Sequence, residues 1–160
     1  MASLEKVRSV GQSVWYDNIS RELLLSGEIA RLINVGVTGL TSNPSIFDKA
    51  ISDSSEYDEA LKVLVQNGVD NKAIYESLAI EDIRSAADLL HDAYVSSNCK
   101  DGYACLEVSP LLAYDTDATI SEAQRLFKEL GKSNVMIKVP ATPEGIPAIR
   151  SLIGQGINVN

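Results

Sequence analysis

The chain has 160 residues, 45% hydrophobic and 22% charged, a composition that argues against disorder and supplies enough apolar material for the core of a soluble globular domain. Its formal charge of −8 comes from dispersed acidic residues and leaves no basic stripe for nucleic acid or anionic lipid. The expected partners are small molecules or another subunit, with no nucleic acid and no membrane.

In chain order, the opening MASLEKVRSVG lacks an apolar signal core, and the cluster Leu23 to Leu25 is far too short to span a bilayer, so a cytoplasmic address is expected. A first strand is predicted over 13–17 (SVWYD), followed by helical periodicity in Leu25, Ile29 and Leu32. A second strand, 35–41 (VGVTGLT), runs into Asn43 and Pro44, which read as a helix cap and its first-turn proline. An excursion of two helices then fills the stretch from 42 to 102. Tyr57, Leu61, Leu64 and Val65 mark one, and Ile80, Ile83, Ala87 and Leu90 mark the other, with loops at 65–72 and 96–102. A third strand (103–108, YACLEV) precedes a helix carrying Ile120, Ala123, Phe127 and Leu130. After a fourth strand (134–139, NVMIKV), Thr142 and Pro143 read as the cap and first turn of a last helix through Ile149 to Ile153. Residues 156–160 (GINVN) open a fifth strand. Alternating strands and helices define an α/β class with parallel strands and crossover helices, in one unit over 1–160. A chain does not usually stop inside a buried parallel strand, so a fragment is expected.

Several residues carry no chemistry on this reading. His91 falls on a helical pattern and reads as a surface residue, which leaves little material for Ser-His or Cys-His catalysis. Cys99 and Cys105 make no CxxC pair and read as ordinary thiols, with no metal or disulfide role. The sequon Asn18-Ile19-Ser20 reads as chance, and the glycines of GVTGLTSN match no nucleotide-binding spacing.

Lys138 is different, because it interrupts the apolar run VMIKVPAT (135–142). An ammonium in such a strand is costly unless neutralised or paired, burial favours the free amine, and a free amine attacks carbonyls. The plainer reading is a snorkelling surface lysine. Strand parity adds weight to the chemical one. If the apolar members of each strand face the helices, Asp17, Asn43, Glu107, Lys138 and Asn160 share the opposite face, each at or just past its strand's C-terminal end. In a (β/α)8 barrel that is where catalytic side chains converge. Each also has a structural reading: Asn43 and Thr142 as caps, Asp17 as the start of a turn, Glu107 as an exposed edge residue.

Taken together and in order, SVWYDNIS (13–20), TSNPSIF (41–47), LEVSPLLAYDTDATI (106–120), MIKVPATPEGIPAI (136–149) and GINVN (156–160) resemble the transaldolases, class I Schiff-base enzymes of the pentose phosphate pathway. The Trp15 context and SNPSIF are most similar to the bacterial branch that includes forms fused to a glucose-6-phosphate isomerase. The resemblance implies a TIM (β/α)8 barrel, incomplete here, with about five of its eight strands. It also implies transfer of a dihydroxyacetone unit from sedoheptulose 7-phosphate to glyceraldehyde 3-phosphate, giving erythrose 4-phosphate and fructose 6-phosphate, without metal or coenzyme. By position in the motifs, Lys138 resembles the Schiff-base lysine and Asp17 the acid/base group. Glu107 with Thr142 resembles the pair that holds a catalytic water. Thr41, Asn43 and Asn160 match positions lining the site, Asn43 and Asn160 as hydrogen-bond partners of substrate hydroxyls, and Ser45 is a looser match. Transaldolases hold the substrate phosphate with Arg and Ser residues of later strands, and no strand end here carries an Arg, so a missing or fused C-terminal region is expected to supply them.

Two other readings remain open. A fructose 6-phosphate aldolase shares the lysine chemistry but releases free dihydroxyacetone, and the Asp17 and Glu107 contexts favour transaldolase over it. A non-enzymatic, five-stranded flavodoxin-like module would suit the length, against the long excursion and the core-facing phase of Lys138.

Overall fold

Four parallel strands, β1 (Trp15–Tyr16), β2 (Gly39–Leu40), β3 (Tyr103–Glu107) and β4 (Val135–Lys138), lie side by side in the order in which the chain makes them. The computed structural model describes residues 4–160. A fifth segment continues the series through a parallel bridge between Ile137 and Val159. Its rungs run from Ile137 N–H to Asn158 O (2.9 Å), Asn160 N–H to Ile137 O (3.0 Å) and Val139 N–H to Asn160 O (3.0 Å). This consecutive order excludes the flavodoxin-like arrangement, in which the chain reverses across the sheet after its first strands. It is the winding of a (β/α)8 barrel, and among the described residues the sheet is open rather than closed.

Register explains why the crossover helices α6 (Asn71–Ser96) and α7 (Thr116–Leu130) can pack on one side. Tyr16, Leu40, Ala104 and Val135 are partners in one row across the sheet, and Leu106, Ile137 and Val159 are partners in the next. Every one of them joins the main apolar cluster, together with Ile80, Ile83, Ala87 and Leu90 of α6 and Ala123, Leu126 and Leu130 of α7. Because side chains alternate, the other parity of each strand is left facing away from the helices.

The helices start where short polar side chains satisfy their first amides. Ser20 caps α2 (Arg21–Leu25), accepting from Leu23 N–H at 3.1 Å, and Asn43 caps α4 (Pro44–Asp53), accepting from Ile46 N–H at 2.9 Å. Asp70 caps α6 and Asp115 caps α7 in the same way. Thr142 accepts from Gly145 N–H at 2.9 Å, so the expected cap exists in its hydrogen bonds, although the regular helix, α8, spans Gly145–Gly154.

The structure corrects several expectations. The predicted strand 35–41 shrinks to β2, because Val35 and Gly36 (φ 109°) belong to the turn that ends α3 (Glu28–Asn34). The periodicity of Leu25, Ile29 and Leu32 spans a break: Gly27 has φ 80°, Leu25 is 68% exposed, and only Ile29 of the three is buried. The excursion between β2 and β3 holds three α-helices rather than two, α4, α5 (Asp58–Gln66) and α6, with a 3-10 turn at Ser55–Tyr57. Val65, assigned to the apolar face of α5, is exposed, whereas Tyr57 is fully buried in the 3-10 turn. A further short helix, α1 (Glu5–Ser9), precedes β1, and its residues show no apolar period that would have announced it. His91 is exposed on α6, Cys99 is exposed, and Cys105 is buried, both thiols being free.

Candidate active site

The face turned away from the helices is built in rows. At the N-terminal end of the strands Trp15, Gly39 and Tyr103 are register partners, with the Trp15 and Tyr103 rings 6.4 Å apart. The indole lies over Gly39 so closely that a Cβ there would sit 2.5 Å from two of its ring atoms. Asp101, 7% exposed, fixes the indole by accepting from Trp15 Nε1 at 2.9 Å, and it also accepts from the Ser13 hydroxyl. Asp101 sits in a loop of polar residues, and nothing in that composition marks it as buried.

Two residues further along each strand come Asp17, Thr41 and Cys105, the last paired in register with Met136. Thr41 donates from Oγ1 to Asp17 Oδ1 at 2.6 Å, so two of the residues singled out in the sequence meet directly. Asp17 is itself exposed. Cys105 is fully buried, and burial pushes its thiol up to about 12 against the opposing effect of the Lys138 charge.

The next row carries Glu107 and Lys138, which are register partners on β3 and β4. Lys138 Nζ stands 3.2 Å from Glu107 Oε2, the two side chains being 30% and 16% exposed. The ammonium also donates to Ser42 O at 3.4 Å. Ser42 is fully buried and its hydroxyl donates to Cys105 O at 2.7 Å, which joins the end of β2 to β3 beneath the lysine. The lysine is therefore paired rather than buried alone, the second of the two ways in which its setting can be tolerated. Ser42 was not singled out in the sequence, and it is its backbone carbonyl that reaches the lysine.

The remaining candidates fall as follows. Asn43 commits its side-chain oxygen to the cap of α4, which leaves its amide NH2 as the group free to donate. Ser45, exposed in the first turn of α4, lies on a ridge between two cavities. One, of about 610 Å3, is lined by Glu107, Tyr75, Leu106 and Leu126; the other, of about 580 Å3, is lined by Asp17, Asn18, Asn43 and Lys49. Tyr75, another residue that the sequence did not announce, has its hydroxyl pushed up to about 12 by burial and then by the charges of Glu107 and Glu76. Thr142 donates to Ala113 O and accepts from Gly145 N–H, and no hydrogen bond joins it to Glu107 among the described residues. Asn160 is exposed and pairs with β4 through its backbone. The arrangement thus brings together Asp17 with Thr41 and Glu107 with Lys138, and leaves Thr142 on the neighbouring loop.

Chemically, an amine beside a carboxylate at the ends of parallel strands can add to a carbonyl and exchange the protons that imine formation requires, while a second carboxylate, Asp17 after β1, two strands across the sheet from β3, can serve a different proton. Among the described residues no group of three or more His, Cys, Asp or Glu side chains is placed so that it could hold a metal ion, and no helix there is long and apolar enough to cross a membrane.

Residues 14–160 match the family described as transaldolase/fructose-6-phosphate aldolase. The chain is 48% identical over 158 residues to a protein of Nostoc sp. named transaldolase 2, covering 98% of this chain and 42% of that protein. It is 48% identical over 155 residues to a transaldolase of Thiobacillus denitrificans, covering 96% and 43% respectively. It is 42% identical over 160 residues to a transaldolase of Neisseria meningitidis, covering 100% and 46%. The chain therefore spans less than half the length of these curated relatives.

Proposed function

The chain belongs to the transaldolase/fructose-6-phosphate aldolase family, and from that premise we propose that the full-length polypeptide carrying it is a transaldolase. It moves a three-carbon dihydroxyacetone unit between sugar phosphates: sedoheptulose 7-phosphate and glyceraldehyde 3-phosphate become erythrose 4-phosphate and fructose 6-phosphate. On this reading it serves the pentose phosphate pathway in the cytoplasm, and residues 1–160 are the N-terminal portion of a single (β/α)8 barrel. The observation that carries the proposal is the Glu107–Lys138 pair at 3.2 Å, held at the C-terminal ends of two adjacent parallel strands.

In the proposed mechanism Lys138, as the free amine, adds to the ketose carbonyl, and water leaves to give an iminium. Glu107, within reach of the nitrogen, shuttles the protons of those steps, with Thr142 helping to hold the water. The iminium withdraws electrons from the neighbouring carbon and lowers the barrier to breaking the next C–C bond. Asp17, oriented by the Thr41 hydroxyl, takes the hydroxyl proton during cleavage and returns it when the new aldol forms. The Asn43 amide and Asn160 hold hydroxyls of the three-carbon unit, and Ser45 lies at the edge of the same site. The phosphate is held by residues outside this chain. The chemistry uses the lysine itself and calls on no metal or coenzyme.

The names of the relatives favour transfer over simple cleavage. The test is acceptor dependence in the full-length polypeptide. Turnover of fructose 6-phosphate should require an aldose phosphate acceptor. Steady release of free dihydroxyacetone at the same rate without acceptor would make the protein an aldolase instead.

A further inference from the structure

Asp17 stands at the end of β1, with three residues between it and α2, and the loop between them borders the open groove of about 580 Å3 whose opposite wall is α4. The other end of the loop is held by a closed ring of hydrogen bonds. Arg21 donates from its backbone N–H to the Tyr57 hydroxyl at 2.8 Å; that hydroxyl donates to Asp82 Oδ2 at 2.7 Å; and Asp82 Oδ1 accepts from Arg21 Nε at 3.0 Å. The guanidinium also lies 4.8 Å from the centre of the Tyr57 ring. Tyr57 is 0% exposed and Asp82 2% exposed, within the longest helix of the chain.

A buried ion pair is an expensive way to fill a core, since well-packed apolar residues of similar volume often serve stability as well or better. What this one adds is direction. It fixes the first residue of α2 through two polar partners on other elements, Tyr57 at its backbone and Asp82 at its side chain, and Ile19, 0% exposed, anchors the loop before it. With Thr41 bonded to Asp17 at the near end, the loop is pinned at both ends.

We infer that Tyr57, Asp82 and Arg21 are positioning residues for Asp17, holding the loop after β1 so that its carboxylate meets the substrate hydroxyl. The inference rests on the proposed role of Asp17 in proton transfer. None of the three touches the reacting atoms. A misplacement near 1 Å can cost on the order of 10²-fold in rate, so a loosened pin should act on the cleavage step and leave the lysine chemistry alone.

The test is a double-mutant cycle in the full-length polypeptide. Tyr57→Phe removes only the hydroxyl and keeps the ring. It should lower kcat for dihydroxyacetone transfer by roughly 10-fold to 100-fold, leave KM for fructose 6-phosphate within about twofold, and leave the rate of borohydride trapping on lysine unchanged. In an Asp17→Asn background Tyr57→Phe should cause no further loss. Arg21→Lys, which keeps the charge but lacks the Nε donor, should give the same signature and replaces Tyr57→Phe if that chain does not fold. A loss of equal size in both backgrounds would mean a general structural effect and would overturn the inference alone. Wild-type turnover in Asp17→Asn by itself would overturn the role of Asp17, and the inference with it.

Discussion

Glu107 and Lys138 are register partners on adjacent parallel strands, and their side chains meet at 3.2 Å on the face turned away from the helices. The pair exists because β3 and β4 align Cys105 with Met136 and Leu106 with Ile137, which carries the next two positions into contact. The same alternation that packs Leu106 and Ile137 into the core turns Glu107 and Lys138 toward each other.

The two carboxylates should be separable by step. In the full-length polypeptide, Asp17→Asn should still form the trapped imine but lose roughly 10²-fold to 10⁴-fold in turnover, whereas Glu107→Gln should slow imine formation itself. Single-turnover trapping with borohydride, set beside steady-state transfer, distinguishes them. Equal trapping rates together with a full loss of turnover in both variants would show that the roles are divided wrongly.

Gly39 should tolerate no side chain. A Cβ there meets the Trp15 indole at 2.5 Å, and the indole is held by Asp101, so it cannot swing aside freely. Gly39→Ala should destabilise the fold by about 1–3 kcal/mol. Urea unfolding measures this, and Trp15→Phe in the same chain should restore part of the loss. An unchanged midpoint would mean that the indole is loosely held.

The two thiols should differ in reactivity, and Cys105 together with Tyr75 should make the fold sensitive to alkali. Burial pushes Cys105 from an ordinary 9.0 up to about 12, and Tyr75 from 10.0 up to about 12. Both groups hold their proton more tightly folded than unfolded, so their contribution is complete below about pH 9 and is lost as pH rises toward 12. The loss should reach a few kcal/mol, at about 1.4 kcal/mol per pKa unit. Denaturant midpoints taken from pH 8 to pH 11 should fall accordingly, and iodoacetamide at pH 8 should label the exposed Cys99 while sparing Cys105. Equal labelling of both in the folded protein would contradict the burial of Cys105.

Residues 1–160 made alone should behave as an unfinished barrel. The described sheet is open, and a parallel sheet that presents unpaired edges invites pairing with other chains. The isolated segment should therefore bind hydrophobic dyes or self-associate, unfold with low cooperativity, and transfer no dihydroxyacetone, all compared with the full-length polypeptide. A sharply melting, monomeric and fully active 160-residue protein would overturn this.

The sequence carried the parity of the sheet well at the strand ends, because Leu106 and Ile137 are each followed at once by a charged residue, Glu107 and Lys138, and a period of two has only two phases. It carried the caps at Asn43 and Thr142 for a similar reason, since a short polar residue before proline has few other local uses. It carried the lengths of β1 and β2 poorly. Gly36 and Gly39 are read the same way by a strand pattern, yet one turns the chain with φ 109° and the other makes room for an indole. Nor could it announce Asp82 and Asp101, whose burial depends on partners 61 and 86 residues away in Arg21 and Trp15. A carboxylate that will be buried looks in sequence like one that will be solvated.

The most direct test of the account is to treat the full-length polypeptide with fructose 6-phosphate and borohydride and to map the reduced adduct by peptide mass spectrometry. The account predicts a three-carbon adduct on Lys138, with trapping and turnover abolished together in Lys138→Met. An adduct on Lys128 of α7, or on Lys132, whose ammonium is paired with Asp88 at 2.5 Å at the surface, would contradict it.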